Sequence, residues 1–214
     1  MRLFLTSSIG TGKVGNSIAL RLGLTQPVKT AFITTPIEPE SEQVDLAWYE
    51  ADRAALRTAG FDFFDYTVTG KHATDLDRDL SSVDAIYISG GNTRHLLQQS
   101  QLSGFIPFIR QFVASNKLYI STSAGSIITG PTLPPNLWGE EKDSPDLVDF
   151  TAYSFVNFTF IPHWGSSWFR DLYLGGRIEE IYSDQLQPFI LCNDHQYLEV
   201  IDGISRLIDT RKEL

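Results

Sequence analysis

Apolar and β-branched residues recur along the chain in short runs separated by stretches with helical spacing, an alternation that predicts strands and helices in turn. Residues 3–6 read as a first strand, followed by a glycine-rich turn and a short helix over 16–22. Residues 28–35 form a second predicted strand, closed by Pro36 and Pro39. A longer helix is expected over 45–58, with Leu46, Tyr49, Ala54 and Leu56 near one face and Gly60 as its stop. Residues 61–68 and 84–89 predict two more strands, the latter ending in Gly90-Gly91. One or two helices follow over 93–115, interrupted near Gly104 and Pro107, and then a strand from Leu118. Past a Pro-rich loop at 131–135 and an acidic connector at 140–149, strands are expected at 158–162, 189–192 and 197–201, with a helix near 168–182.

Nearly unbroken apolar strands alternating with helices imply an α/β three-layer sandwich, a mostly parallel central sheet covered by helices on both faces. Ligands in that architecture bind beyond the carboxyl ends of the strands. Three clusters fall at such ends and are expected to share one crevice: Gly90-Gly91-Asn92, Ser123-Ala124-Gly125 and Pro162-His163-Trp164. The 214 residues fit one globular domain, and a composition of 42% hydrophobic and 20% charged residues is too apolar for disorder. A net charge of −9 without a basic stripe argues against a nucleic-acid or anionic-membrane partner. The single Cys192 excludes an internal disulfide and a multi-cysteine zinc site. With no apolar stretch long enough for a signal peptide or a bilayer span, a cytoplasmic protein is expected. Oligomeric state, monomer or homodimer, is left open.

The candidate chemistry centres on Ser123. The segment Lys117-Leu-Tyr-Ile-Ser-Thr-Ser-Ala-Gly-Ser-Ile-Ile-Thr-Gly130 reads as a strand, a sharp small-residue turn and a helix start, which lifts a serine hydroxyl beside unpaired backbone N–H groups. The same pattern also suits an ordinary strand-to-helix turn. An acyl-transfer serine needs a base, a group that orients the base, and N–H donors for the oxyanion. Of the four histidines, His72 lies in a polar connector and His95 in a helix start. His163 sits at a strand end on the expected functional edge, and position favours it as base over His195. Asp194 is the natural orienting carboxylate; it cannot readily orient its own neighbour His195, because adjacent residues in extended chain point to opposite faces. The N–H groups of Ala124 and Gly91 are the expected oxyanion donors, although Gly90-Gly91-Asn92-Thr93 also reads as a turn with a helix cap. His163, His195 and the scattered aspartates show no metal-ligand spacing, so neither metal nor other cofactor is expected. Gly10-Thr-Gly-Lys13 suggests a phosphate loop, but that pattern requires glycine at Ser7 and Ser or Thr at Val14.

With Ile88-Ser-Gly-Gly-Asn-Thr93, Ser121-Thr-Ser-Ala-Gly-Ser126, Ile161-Pro-His-Trp164 and Leu191-Cys-Asn-Asp-His-Gln196 in that order, the chain resembles the peptidase E family of serine peptidases, which includes aspartyl dipeptidase and, more distantly, cyanophycinases. The resemblance implies a fold like class I glutamine amidotransferases. It also implies Ser123 as nucleophile, His163 as general base, Asp194 as the acidic third member, and Gly91 and Ala124 as the oxyanion hole. Asn92, Arg170 and Trp164 are the expected substrate-binding residues. The arginine that aspartyl dipeptidases use for the substrate's acidic side chain has no aligned counterpart in Trp164-Gly-Ser-Ser-Trp-Phe-Arg170. Arg170 or Arg177 is a candidate for a substrate carboxylate, or an ordinary solvated charge. Trp164 and Trp168 line the crevice or pack in the core. A peptidase of dipeptidase or exopeptidase type acting on short peptides is the leading expectation. An amidase or isopeptidase of the same fold and a non-catalytic small-ligand-binding protein are the alternatives.

Overall fold

In the computed structural model, residues 1–40, 45–133, 144, 146–183 and 188–212 are described. Five strands run parallel in the order β3 (Phe61–Tyr66), β2 (Val28–Ile33), β4 (Ala85–Ile88), β5 (Leu118–Thr122), β1 (Arg2–Thr6). An antiparallel hairpin, β8 (Gln196–Ile201) and β9 (Ile204–Asp209), extends the sheet beyond β1 to seven strands. β6 (Thr159–Ile161) and β7 (Phe189–Leu191) form a separate two-stranded parallel sheet, not further strands of the main one.

The strand alternation sorts two cores onto the two faces. Leu3, Leu5, Ile86, Ile88 and Tyr119 point one way, onto Leu76 and Leu80 of α3 (Ala73–Leu80), Leu96 and Leu97 of α4 (Thr93–Ser103) and Phe105, Ile109 and Phe112 of α5 (Phe105–Ala114). Phe4, Phe32, Ala85, Tyr87, Leu118 and Ile120 point the other way, onto Val14 and Ile18 of α1 (Val14–Leu22) and Leu56 of α2 (Ala47–Thr58). The result is a mostly parallel sheet between helical layers, as the α/β pattern predicts.

Four local differences from the sequence reading have physical causes. α3 carries only Leu76 and Leu80 as buried residues, one i,i+4 pair in a polar stretch, too sparse to register as periodic. β9 is an edge strand, largely exposed, so its two-sided polarity hides it. Gly104 does end α4, in a left-handed conformation, but Pro107 lies in the first turn of α5, where its missing N–H would have had no helical partner. In α2 the inward face holds Asp52 and Leu56, four apart, while Ala54 points to solvent. The helix expected near 168–182 is α7 (Arg170–Leu172), a π-helical turn (Tyr173–Arg177) and α8 (Ile178–Ser183). Most of the Pro-rich loop at 131–135 and the acidic connector at 140–149 lies outside the described residues.

Candidate active site

Strand β5 ends at Thr122, and the chain turns so sharply into α6 (Ala124–Ile127) that Ser123 adopts φ 48°, ψ −106°. A non-glycine residue there is strained, by roughly 1–3 kcal/mol, and the surroundings hold it in place. The Ser123 N–H donates to the Thr6 carbonyl at 3.0 Å, and the Ser123 carbonyl accepts from Ser126 and Ile127. The turn stays tight because Gly125 packs on β4: a Cβ there would fall 2.6 Å from the Ile88 carbonyl oxygen. The N–H of Ala124, at the first position of α6, has no partner among the described residues, as expected of a helix start.

His163 reaches the same place from the small sheet. The β6–β7 pairing sets Ile161 opposite Leu191, so the loops carrying residues 163 and 194 leave side by side. Three bonds hold the first loop: His163 N–H to Ser7 Oγ at 3.2 Å, Ser7 Oγ–H to the Cys192 carbonyl at 2.9 Å, and Trp164 N–H to the same carbonyl at 2.9 Å. His163 itself lies at φ 59°. Its ring stacks face to face on Phe169, with centroids 4.5 Å apart and planes 5° apart. Asp194 projects from a turn closed by Gln196 N–H to the Asn193 carbonyl at 3.0 Å and His195 N–H to Asn193 Oδ1 at 2.9 Å.

These elements bring the three side chains into one line. His163 Nε2 lies 3.0 Å from Ser123 Oγ, and His163 Nδ1 lies 2.6 Å from Asp194 Oδ1. Imidazole and carboxylate are partly shielded, with side-chain exposures of 15% and 29%. Such a line can move a proton off a hydroxyl.

Gly90, just past the end of β4, borders Ser123, and Gly91 follows it. A Cβ on Gly90 would fall 3.4 Å from Ser123 Cβ and 3.1 Å from Trp48 Cζ3, so an indole not singled out in the sequence walls this side. Gly91 has φ 121°, and a Cβ on it would overlap the Pro36 carbonyl. Its N–H has no partner among the described residues. Gly91→Ala is therefore expected to cost about 2 kcal/mol or more, from strain and overlap together, measured by urea unfolding. Asn92 is buried and caps α4: its N–H donates to the Pro36 carbonyl at 2.8 Å, and its Oδ1 accepts from the His95 N–H at 2.8 Å. Trp164 is half-exposed and meets Tyr173 edge to face. Arg170 lies exposed at the start of α7, with Asp171 as a 3.4 Å neighbour.

The other histidines are placed elsewhere. His72 caps α3, His95 Nε2 pairs with Glu38 at 2.9 Å, and the His195 ring lies beside Gly12. The Gly10-to-Lys13 loop serves the fold: Gly10 N–H donates to Asp52 Oδ1 at 2.8 Å. Asp52 is 2% exposed, and burial pushes its carboxyl up to about 6 against the hydrogen bonds it receives. Among the described residues no group of three His, Cys, Asp or Glu side chains is arranged to hold a metal ion, and no helix is long and apolar enough to cross a membrane.

The model of peptidase family S51 matches residues 23–208. The chain belongs to peptidase family S51. Membership makes it a serine-type peptidase by class, a hydrolase. Among relatives, an uncharacterized peptidase of Pasteurella multocida (strain Pm70) is 30% identical over 202 residues, 93% of each chain. An uncharacterized peptidase of Listeria monocytogenes is 29% identical over 126 residues, 58% of this chain and 62% of that protein. A Shewanella peptidase E is 32% identical over 111 residues, 50% of this chain and 45% of that one. The matches thus span less than two thirds of the Listeria and Shewanella proteins. In fold, this S51 chain is similar to the crystal structure of a candidate peptidase E protein from Listeria monocytogenes EGD-e, with TM-score 0.85 at 24% identity over 97% of this chain and 98% of that one. A peptidase from an acI-B1 Actinobacterium gives TM-score 0.68 at 15% identity, over 97% of this chain and 87% of that one.

Proposed function

We propose that the protein is a serine peptidase of dipeptidase or exopeptidase type that cleaves short peptides through a Ser123-His163-Asp194 triad. The observation that carries this reading is the hydrogen-bonded line from Ser123 Oγ through His163 to Asp194 at a strained strand-to-helix turn. Ser123 Oγ attacks the scissile carbonyl carbon while its proton passes to His163 Nε2. Asp194 holds the Nδ1–H tautomer and stabilises the imidazolium. The oxyanion accepts from the Ala124 and Gly91 N–H groups. Collapse breaks the C–N bond, and the amine leaves with the proton from Nε2. Water, deprotonated by the same nitrogen, then hydrolyses the ester and restores Ser123.

Trp164 and Arg170 are the proposed substrate-binding residues, Arg170 for a substrate carboxylate, whereas Asn92, expected beside them, is buried and spends its Oδ1 capping α4. Its exposure leaves the guanidinium accessible from solvent. The single buried Cys192 suits the proposed cytoplasmic setting. The test is competition between a dipeptide library and side-chain-linked isopeptides. Preference for α-linked dipeptides is expected, with Arg170→Ala raising KM for acidic substrates more than for neutral ones. Preference for isopeptides would overturn the dipeptidase assignment.

A further inference from the structure

Strand β1 ends at Thr6, which its register sets opposite Thr122 at the end of β5, so the residues that follow, Ser7 and Ser123, leave the sheet side by side. The Thr6 carbonyl accepts from the Ser123 N–H at 3.0 Å and from Ser126 Oγ at 2.8 Å, which pins the backbone of the Ser123 turn. One residue on, Ser7 Oγ accepts from the His163 N–H at 3.2 Å and donates to the Cys192 carbonyl at 2.9 Å. The partners fix the polarity of both bonds. An amide N–H can only donate and a carbonyl can only accept, so the one Ser7 proton goes to Cys192 and a lone pair faces His163. Ser7 is wholly buried, away from competing solvent.

These bonds close a ring. It runs from the Ser123 N–H to the Thr6 carbonyl, along the chain to Ser7 Oγ, across to the His163 N–H, and through the imidazole back to Ser123 Oγ at 3.0 Å. Ser123 follows a strand of the seven-stranded sheet, whereas His163 follows a strand of the two-stranded one, so their separation depends on what ties the two sheets together at this edge. The other backbone hydrogen bonds of residues 162–164, among the described residues, run to Tyr173, Ser166 and Cys192, none of them in a strand of the larger sheet. His163 is also held at φ 59°, a sparsely populated region that a residue keeps only when its surroundings enforce it.

We infer that Ser7 is a positioning residue for the base: its hydroxyl fixes the His163 backbone relative to that of Ser123 and, through the Cys192 carbonyl, ties in the loop that leads to Asp194. The inference rests on the proposed triad and deepens it. A serine hydroxyl at a strand end commonly satisfies nearby backbone groups. Ser7 differs in that its two partners lie on the segments carrying the base and the acid, while the carbonyl just before it holds the nucleophile. Without the hydroxyl the imidazole is free to settle away from Ser123 Oγ, and a misplacement of about 1 Å costs on the order of a hundredfold in rate.

The test is fluorophosphonate labelling of the wild type, Ser7→Ala, His163→Ala and the double variant. Ser7→Ala is expected to slow labelling of Ser123 by about tenfold to a hundredfold when His163 is present, and by less than about twofold when residue 163 is alanine. On the best dipeptide the same variant should lower kcat by a similar factor with KM little changed. Equal slowing in both backgrounds would mean that Ser7 supports the Ser123 turn and not the base, and would overturn the inference. Wild-type labelling at Ser123 that Ser7→Ala leaves undiminished would overturn it alone, whereas a wild type that takes no label would end the triad and the inference together. Should Ser7→Ala fail to fold, Ser7→Cys, close in size but with a thiol that accepts only weakly, takes its place in the same comparison. Amide hydrogen exchange on the wild type checks the bond itself. The His163 N–H should exchange at least about a hundredfold more slowly than an unprotected amide, and exchange at the unprotected rate would overturn the inference.

Discussion

Ser123→Ala is expected to lose about ten-thousandfold or more in kcat on its best dipeptide while remaining folded. The proposed chemistry begins with the Ser123 oxygen, and no other hydroxyl lies on His163 Nε2 among the described residues. Alanine at 123 keeps the turn: the N–H still donates to Thr6, and the carbonyl still accepts from Ser126 and Ile127. The strain at φ 48° applies to alanine much as to serine. Stability should therefore change by less than about 1 kcal/mol, as for a hydroxyl with one partly exposed partner. Steady-state kinetics with an unfolding curve on the same preparation checks both halves. Residual cleavage within tenfold of wild type would place the nucleophile elsewhere.

Asp194→Asn is expected to lower kcat by about a thousandfold to ten-thousandfold with KM little changed. An asparagine keeps the shape but can turn its amide N–H₂ toward His163 Nδ1. That favours the tautomer protonated at Nε2, which cannot take the Ser123 proton. The 2.6 Å link between Nδ1 and Oδ1 makes the ring's proton placement depend directly on this carboxylate. The π stack of Phe169 limits the ring's tilt but says nothing about which nitrogen carries the proton. Kinetics on a single dipeptide across neutral pH checks this. Loss confined to KM would mean that Asp194 binds substrate and does not orient the base.

The parts of the fold written as periodic apolar runs were legible in the chain, because burial on both faces of a parallel sheet demands them. Phe61–Tyr66, Leu118–Thr122 and Gln196–Ile201 lie where the runs place them, give or take a residue or two. What pattern could not distinguish was sheet membership. Thr159–Ile161 and Phe189–Leu191 look like any short buried strand, and only pairing shows that they form their own sheet, from which His163 and Asp194 emerge together. Ser123, His163 and Asp194 were singled out because each sits where a strand or turn ends, the one feature of a site that local sequence records. Asp52, Phe169 and Trp48 were not. Asp52 occupies an inward position of α2, four residues before Leu56, and an acid on a helix ordinarily reads as its solvated side. Phe169 lies in a turn without periodicity, and Trp48 gains meaning only from the missing side chain of Gly90.

Gly91 shows a subtler limit. A glycine beside a crevice reads as room for a substrate carbonyl, yet its closest approach is to the Pro36 backbone. The missing Cβ serves packing against that backbone.

Mass spectrometry after exposure to a fluorophosphonate tests the activated serine most directly. A single adduct is expected on the peptide containing Ser123, slowed at least about a hundredfold in His163→Ala and absent in Ser123→Ala. A wild-type protein that takes no label, or that takes it on another residue, would contradict the triad.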